Sequence, residues 1–373
     1  MALAGPRTAL VALIAAGGVW LYRADVLAPA KAPAPANASA SSPAGPAAVT
    51  TLRASAQARN FSIGAGSSAG WMKSDSLYSQ TLAREYNVMA GGTQTWFSRV
   101  RTSPTEFKFA DADIVYDFAA ANGMLGRPNP LLAGDVPSWL AKGNFSASEI
   151  ATILKEFVQT VVRRYRGRVM GWDVTWGMFD MLGKPGENFW SKAVGDDYIA
   201  QIIAWAHEAD PQAKLFLNSN YAFDVVGPRS NAVYDLLQKF RSRGVAVDGI
   251  ALANTIVLDQ LPKLQDFVTN MSRLAALGLE IHLVEFEVSV KLPPSEQDLQ
   301  RQAAVYRDYL STCLSFPSCK LFATGGVSDK DAYAPQRWAS KAGAAMPFDE
   351  LYRPKPAYKA MLDALNDRRA DLR

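Results

Sequence analysis

The feature that most constrains the fold is a repeated alternation of short apolar runs with amphipathic helical stretches, beginning near residue 50. The helical pattern is clearest at residues 111–121, 147–165, 196–208, 230–243, 264–277 and 295–315, with Ser146 and Ser148 as candidate N-caps. Eight runs have the length and composition of strands: residues 61–64, 86–90, 124–127, 169–174, 214–218, 249–252, 281–288 and 321–325. This order predicts a single α/β domain, a (β/α)8 TIM barrel over residues 51–368. An open doubly wound sheet is the alternative, but the chain lacks a Gly-rich dinucleotide-binding turn.

The seventh run, residues 281–288, carries two carboxylates, Glu285 and Glu287, in its C-terminal half. Side chains two residues apart on a strand point to the same face, so these two acids are expected to face together. One interpretation is a strand end that emerges into water. The other is a catalytic carboxylate, because barrel enzymes do their chemistry at the C-terminal ends of the strands.

Composition removes several classes of function. The chain has two His and two Cys residues, which makes a Cys/His zinc site, thiol catalysis and Ser–His–Asp chemistry improbable. The formal net charge is only +4 and no dense Lys/Arg stripe exists, so nucleic acid is not an expected partner. Carboxylates remain as the acid–base groups, and we expect no metal and no cofactor.

The N-terminal residues suggest export. Residues 1–27 include an apolar stretch of about 15 residues, the length of a signal-peptide core rather than of a membrane span. Residues 28–50 form an Ala/Pro-rich segment that reads as a disordered linker. The segment is either a cleaved signal peptide or an uncleaved anchor, so the protein is expected to be periplasmic, membrane-tethered or secreted. An oxidising compartment then favours a disulfide between Cys313 and Cys319.

A series of motifs gives the chain a family resemblance. Residues 107–113, 136–139, 165–174, 313–329 and 354–358 resemble F-x-F-x-x-A-D, L-P-x-W, Y-x-G…x-W-D-V, the Cys pair before W-G-V-T-D, and N-P-K-P-A-Y. In that order the chain resembles glycoside hydrolase family 10, the retaining endo-β-1,4-xylanases. The resemblance covers about residues 52–365 and implies the barrel fold, a polysaccharide or oligosaccharide partner and two catalytic carboxylates. We expect a monomer.

The resemblance assigns one catalytic carboxylate, but the residue at the position of the second is not an acid. Glu285 matches the nucleophile of T-E-L-D, in which the final Asp is here Glu287. The W-D-V-V-N-E motif reads Trp-Asp-Val-Thr-Trp-Gly at residues 172–177, so Gly177 stands where the general acid is expected. Asp180, Asp135 and Glu287 are candidates for the second acid. Asp180 is a poor substitute, and Asp135 is also explained as a loop residue that caps backbone.

The sugar-binding motifs are altered as well. P-E-N-x-x-K-W at residues 91–97 has lost its Glu, Asn and Lys, and G-H-T-L-x-W-H at residues 127–133 has lost both His and the Trp. Q-x-H at residues 253–255 reads Ala-Asn-Thr, and the Trp of W-G-V is Gly325. The remaining substrate-binding candidates are Trp96, Asn129, Trp176, Asn218 and Glu287. Trp96, Trp176 and Phe97 are expected to line the groove, although large aromatic side chains also simply fill space.

Three hypotheses follow from these residues. The first is a divergent carbohydrate-active enzyme centred on Glu285, acting on a different glycan, for example an exopolysaccharide, and lacking ordinary xylanase activity. The second is a non-catalytic protein for glycan binding or for polysaccharide assembly and export. The third is a purely structural barrel. The first is favoured because a buried carboxylate is costly to keep without use.

Overall fold

The computed structural model describes residues 50–219, 226–332 and 341–367. The signal or anchor segment and residues 28–49 of the linker lie outside the described residues, as do residues 220 and 221 next to Asn218. None of the helices in the described ranges is both long and apolar enough to cross a membrane.

The strands form the predicted barrel. Eight of them pair in parallel in the order β3-β2-β1-β8-β7-β6-β5-β4, and parallel bridges between Gly126 and Val169 and between Leu132 and Thr175 join the two ends. The strands are β1 Ser62–Gly66, β2 Val88–Ala90, β3 Leu125–Arg127, β4 Trp172–Asp173, β5 Leu215–Asn218, β6 Gly249–Val257, β7 Glu280–Lys291 and β8 Cys319–Thr324, with β9 Ala342–Gly343 antiparallel to the end of β7.

Helices connect the strands. They are α1 Leu52–Gln57, α2 Ala69–Ser74, α3 Ser76–Glu85, α4 Phe97–Val100, α5 Ala110–Ala121, α6 Ser138–Ala141, α7 Ala147–Arg164, α8 Phe189–Val194, α9 Tyr198–Ala209, α10 Pro228–Ser242, α11 Leu264–Ala276, α12 Glu296–Ser315 and α13 Pro356–Asn366, with a 3-10 turn at Leu258–Gln260. Ser146 begins α7 with a capping box shared with Glu149, whereas Ser148 lies inside the helix. The N-cap prediction at Ser146 is therefore confirmed.

Two layers of apolar side chains hold the barrel. The outer layer packs the helices on the sheet and includes Phe286, whose ring lies 5.0 Å from that of Tyr306 and 4.8 Å from that of Phe322. The inner layer is small, which suits the narrow interior of a barrel: Val88, Ala90, Ala251, Ala253, Val284, Leu321 and Ala323.

Two details differ from the sequence prediction. The run at residues 169–174 is divided, because Val169 pairs with Gly126 while only Trp172 and Asp173 pair with β5. β6 and β7 continue several residues beyond the predicted ends. The predicted disulfide between Cys313 and Cys319 is present and joins the end of α12 to the start of β8.

Candidate active site

A pocket of about 170 Å³ opens at the C-terminal ends of β1, β2, β7 and β8. This is the end at which barrel enzymes carry their chemistry. Its lining combines acids, tryptophans and small residues: Gly66, Ser67, Trp71, Ala90, Gly91, Gly92, Thr93, Gln94, Trp96, Asn129, Trp176, Thr255, Glu285, Glu287, Thr324, Gly325 and Asp331.

A β-bulge in β7 aims Glu285 into this pocket. Two residues, 285 and 286, lie between Val284 and Glu287 in β7, whereas only Asn254 lies between their partners Ala253 and Thr255 in β6. The pairing with β8 shifts by one residue at the same point. Glu285 is the extra residue and has a φ of 50°, in the left-handed region that a residue with a side chain rarely adopts. Bulges of this kind redirect side chains next to active sites.

The bulge also changes which side chains of β7 point into the barrel. Val284 belongs to the inner layer, Phe286 belongs to the outer layer, and Glu287 again lines the pocket. Strict alternation from Val284 would have turned Phe286 inward and Glu287 outward. Glu285 and Glu287 therefore share the pocket as predicted, but because of the extra residue.

The environment of Glu285 disfavours its charge. Burial raises the pKa of this carboxyl to about 7, with a further contribution from the nearby negative charge of Asp173. A hydrogen bond from Asn129 Nδ2 to Glu285 Oε1, 3.1 Å long, acts in the opposite direction. Asn129 thus lies against the candidate nucleophile, as a predicted site residue should. In its ionised form Glu285 can attack an electrophilic carbon.

Asp173 is held below the pocket by two hydrogen-bond donors, one charged and one neutral. Its two oxygens accept hydrogen bonds from Arg127 Nη2, at 2.5 Å, and from Asn218 Nδ2, at 2.8 Å. Asn218 was predicted to bind substrate, but it is buried and does not line the pocket. Its described contact positions Asp173, and a role of Asn218 in binding substrate stays a prediction.

The same network continues down the barrel axis. Arg127 Nε donates to His282 Nδ1 at 2.9 Å, so the other ring nitrogen of His282 carries the hydrogen and donates to Glu280 Oε1, also at 2.9 Å. Burial and the charge of Arg127 lower the pKa of His282 to about 4, which keeps the ring neutral. Lys214 completes the chain by donating to Glu280. These contacts satisfy the charges that fill the interior of the barrel.

Glu287 fits its position because residue 325 has no side chain. A Cβ on Gly325 would lie 2.3 Å from Glu287 Oε1 and 2.7 Å from its Cγ. The long acid and the glycine are therefore complementary. This pairing explains why two departures from the family motifs, Asp to Glu287 and Trp to Gly325, occur together.

Trp96 and Trp176 both line the pocket, as predicted, with ring centroids 6.5 Å apart. Phe97 does not. It is fully buried in the outer layer, with its ring 4.6 Å from that of Phe157 and 5.0 Å from that of Trp190. The prediction that Phe97 lines the groove is therefore wrong, since the start of α4 turns it into the core.

The loop after β4 brings no carboxylate to the pocket. Gly177 is exposed and has a φ of 70°. The Asp180 carboxylate is also exposed and caps its own loop by accepting from the backbone N–H groups of Leu182 and Lys184. Asp135 accepts from the backbone N–H of Ser98 in α4. Neither Asp180 nor Asp135 lines the pocket, so the geometry does not support them as the second acid.

Three pocket residues were missed by sequence reasoning: Ser67, Trp71 and Asp331. Asp331 accepts from the backbone N–H groups of Val327 and Ser328, yet burial raises its pKa to about 6. Ser67 directly follows β1, so inspecting the end of the first strand would have found it. Asp331 and Trp71 lie farther from their strands and left no such signal.

The described ranges contain no group of three or more His, Cys, Asp or Glu side chains arranged to hold a metal ion. The chemistry available in the pocket is that of carboxylates, amides, hydroxyls and aromatic rings.

Comparison with known proteins agrees with this geometry. The endo-1,4-beta-xylanase B of Thermotoga neapolitana is 32% identical over 321 residues, which cover 85% of this chain and 92% of that protein. The crystal structure of xylanase 10B from Thermotoga petrophila in complex with xylobiose matches with a TM-score of 0.82 and 30% identity, covering 86% of this chain and 98% of that one. The native xylanase 10B of Thermotoga maritima matches with the same TM-score, at 31% identity, covering 87% of this chain and 100% of that one.

The family model for glycosyl hydrolase family 10 matches residues 51–364, nearly the whole barrel. Family, relatives and solved structures thus agree with the motifs and with the barrel fold. The chain belongs to glycosyl hydrolase family 10.

Proposed function

We propose that this protein is an exported carbohydrate-active enzyme that binds a saccharide chain in the pocket and cleaves O-glycosidic bonds through Glu285. The observation that carries the proposal is the bulge in β7, which directs a partly buried carboxylate into the pocket at a strained φ of 50°. Strain of this kind costs on the order of 1–3 kcal/mol and is found mainly at functional sites. The solved relative bound to xylobiose supports an oligosaccharide as the ligand.

The proposed reaction has two displacements. Ionised Glu285 forms a bond to the anomeric carbon while the bond to the leaving oxygen breaks, and that oxygen keeps the electron pair. Water then attacks the anomeric carbon, loses a proton to the solvent, displaces Glu285 as a carboxylate and restores the configuration. Because the pKa of Glu285 is raised to about 7, the reactive carboxylate becomes more abundant as the pH rises through neutrality.

The absence of a carboxylate at residue 177 limits which substrates react well. In the family pattern, a Glu at this position protonates the leaving oxygen and later activates water. General acid–base assistance is typically worth roughly 10²–10⁴-fold in rate. We therefore propose weak activity on ordinary xylan and much better activity on glycosides whose leaving group departs without a proton.

Leaving-group dependence tests this proposal. A panel of β-glycosides that differ in their sugar is offered as dinitrophenyl and as methyl glycosides. We expect dinitrophenolate release, no detectable cleavage of the methyl glycosides, and acceleration by azide, which needs no base to attack the glycosyl ester. Glu285→Gln should abolish the release and Glu350→Gln, at an exposed acid, should not. Release that persists in Glu285→Gln would refute the role of Glu285.

A second candidate function is a non-catalytic one, in polysaccharide binding or assembly. The observation that favours it is the loop after β4, where Gly177 has no carboxylate and Asp180 caps its own backbone. It predicts saccharide binding without dinitrophenolate release, and little change in affinity on Glu285→Gln.

We further propose that the N-terminal segment directs export. Residues 1–27 act as a signal peptide or anchor, and residues 28–50 act as a flexible linker that leaves a monomeric barrel in the periplasm, at the membrane or outside the cell. The apolar stretch and the Ala/Pro composition support this. Cell fractionation of the full chain, compared with a chain lacking residues 1–27, tests it.

A further inference from the structure

Among the described residues, the charged side chains that line the pocket all carry the same sign. Three carboxylates line it, those of Glu285, Glu287 and Asp331, whereas its lining within the described ranges contains no Lys, Arg or His. Lys330 follows β8 nearby, but it binds Asp75 and does not line the pocket. Glu285 and Asp331 accept their hydrogen bonds from neutral groups, namely Asn129 for Glu285 and residues 327 and 328 for Asp331, so a bound cation would compensate the charge of these two carboxylates.

Several departures from the family motifs remove basic groups from around the pocket. The Lys of P-E-N-x-x-K-W is replaced by Trp96, and the His of Q-x-H is replaced by Thr255. Two further His positions have become Pro128 and Ala133. The acidic positions on β7 are both retained. Two acids have gone as well, at Gly92 and Gly177, so the charged groups that these motifs still bring to the pocket lining are the two acids on β7.

Three indole rings line the same pocket: Trp71, Trp96 and Trp176. Aromatic faces bind cations and also stack on sugar rings. Trp binds cations most strongly among the aromatic residues. Lys330 already lies 5.4 Å from the ring centroid of Trp71, so this ring has a cationic neighbour. Aromatic faces combined with carboxylates are the arrangement that recognises an organic ammonium group.

A hydroxyl gives independent evidence that the pocket is built for a polar ligand. Ser67 is only 6% exposed and lines the pocket, yet its Oγ has no hydrogen-bond partner among the described residues. A buried hydroxyl without a partner costs free energy unless a ligand or water supplies one. An amine or hydroxyl of a bound sugar would do so.

We propose that the pocket binds a sugar ring carrying a protonated amine, such as a 2-amino-2-deoxyhexose unit of a partly or fully de-N-acetylated glycan. This assignment rests on the proposed function, since it names the substrate class of the same pocket. The ammonium group would neutralise carboxylates whose burial raises the pKa of Glu285 to about 7 and that of Asp331 to about 6. It would also contact the indole faces, while the sugar hydroxyls reach Ser67 and Asn129.

Calorimetric binding of three tetrasaccharides tests this inference. β-1,4-Linked glucosamine, its N-acetylated counterpart and cellotetraose are compared at neutral pH, where Asp331 is ionised and a fraction of the free amines is protonated. We expect the glucosamine oligomer to bind at least tenfold more tightly than either neutral oligomer, with an affinity that falls as salt is added. The N-acetylated oligomer is the matched control, because it differs only at the nitrogen.

Variants assign the binding to the pocket. Asp331→Asn should reduce the affinity for the glucosamine oligomer at least tenfold more than the affinity for the neutral oligomers, while Asp180→Asn, outside the pocket, should change neither. Glu287→Gln serves as a second variant in case Asp331→Asn does not fold, with Glu350→Gln as its control. Selective binding that neither pocket variant weakens would overturn the assignment.

The remaining outcomes separate this inference from the proposed function. If the neutral oligomers bind as tightly as the amine, the inference is overturned while saccharide binding stands. If no oligosaccharide of any kind binds and no glycoside reacts, the proposed function falls as well.

Discussion

At the scale of a single side chain, Glu285 has two features that cost folding free energy and that a purely structural residue would have no reason to retain. Its backbone is left-handed, which is rare for a residue with a side chain. Its carboxyl is also buried enough to raise its pKa from the ordinary 4.5 to about 7. The bulge imposes the left-handed backbone, and burial of the side chain raises the pKa. The result is a reactive carboxylate inside the pocket.

The raised pKa makes stability depend on pH. Below about pH 4.5 Glu285 is protonated in the folded and unfolded chains, so ionisation costs nothing. Between pH 4.5 and 7 only the unfolded chain ionises, and stability falls until the loss is complete above pH 7. The uncharged Glu285→Gln variant should therefore be more stable than the wild type at pH 8, by on the order of 3 kcal/mol, with the difference vanishing towards pH 4.5.

Urea unfolding at the two pH values measures this difference. Glu350→Gln is the matched control, because it removes an exposed carboxylate and leaves the pocket unchanged. A wild type that is as stable as Glu285→Gln at pH 8 would mean that the Glu285 carboxyl is not buried as described.

Gly325 and Glu287 form a second residue-scale pair. Gly325→Ala should destabilise the fold by about 1–3 kcal/mol, because its Cβ would overlap the Glu287 carboxylate at 2.3 Å. Shortening the acid with Glu287→Asp should recover part of that loss, so denaturant unfolding of the double-mutant cycle should give a favourable coupling. Gly134→Ala, where a Cβ meets open space, controls for the glycine itself. Strict additivity would show that the two residues do not share this space.

At the scale of an element, the bulge in β7 decides what the barrel presents to its pocket. One extra residue relative to both β6 and β8 resets the alternation, keeps Phe286 in the outer layer and turns Glu287 inward. The sequence predicts the strand and its two acids, but not the extra residue, because no glycine marks the left-handed position. Only the pairing with the neighbouring strands reveals it.

Removing the bulge should therefore be tolerated. Deleting Glu285 leaves Val284 inward, Phe286 outward and Glu287 inward, which is an ordinary strand. We expect this variant to unfold cooperatively with a melting temperature near that of the wild type, as followed by circular dichroism. Deleting Ala253 from β6, which has no extra residue, should instead abolish cooperative folding. A deletion at Glu285 that is as damaging as the one at Ala253 would contradict the bulge.

At the scale of the whole molecule, much of the architecture could be predicted because barrel strands are short apolar runs separated by helices of strong periodicity. All eight predicted runs take part in the sheet, and the Cys313–Cys319 disulfide forms. The site was harder to predict, because a side chain's direction depends on tertiary packing. Phe97 turns into the core, Asn218 turns towards Asp173, and Asp180 caps its own loop.

The pocket also contains residues that could not be predicted from the sequence. Asp331 and Trp71 reach it from residues beyond the strand ends, so the strand-end rule alone did not find them. Within the described ranges, the pocket around Glu285 is thus lined by acidic and aromatic side chains, and the loop after β4 brings no carboxylate to it. That combination, rather than the fold itself, sets the chemistry we propose.

Covalent trapping of Glu285 tests the central claim most directly. A dinitrophenyl 2-deoxy-2-fluoro-β-glycoside couples a good leaving group to a sugar whose glycosyl ester breaks down slowly, so the ester should accumulate. Across a panel of such sugars, intact-protein mass spectrometry should find one glycosyl unit per chain, peptide mapping should assign it to Glu285, and Glu285→Gln should remain unlabelled. Saccharide binding with no label from any sugar in the panel, or a label on another residue, would contradict Glu285 as the nucleophile.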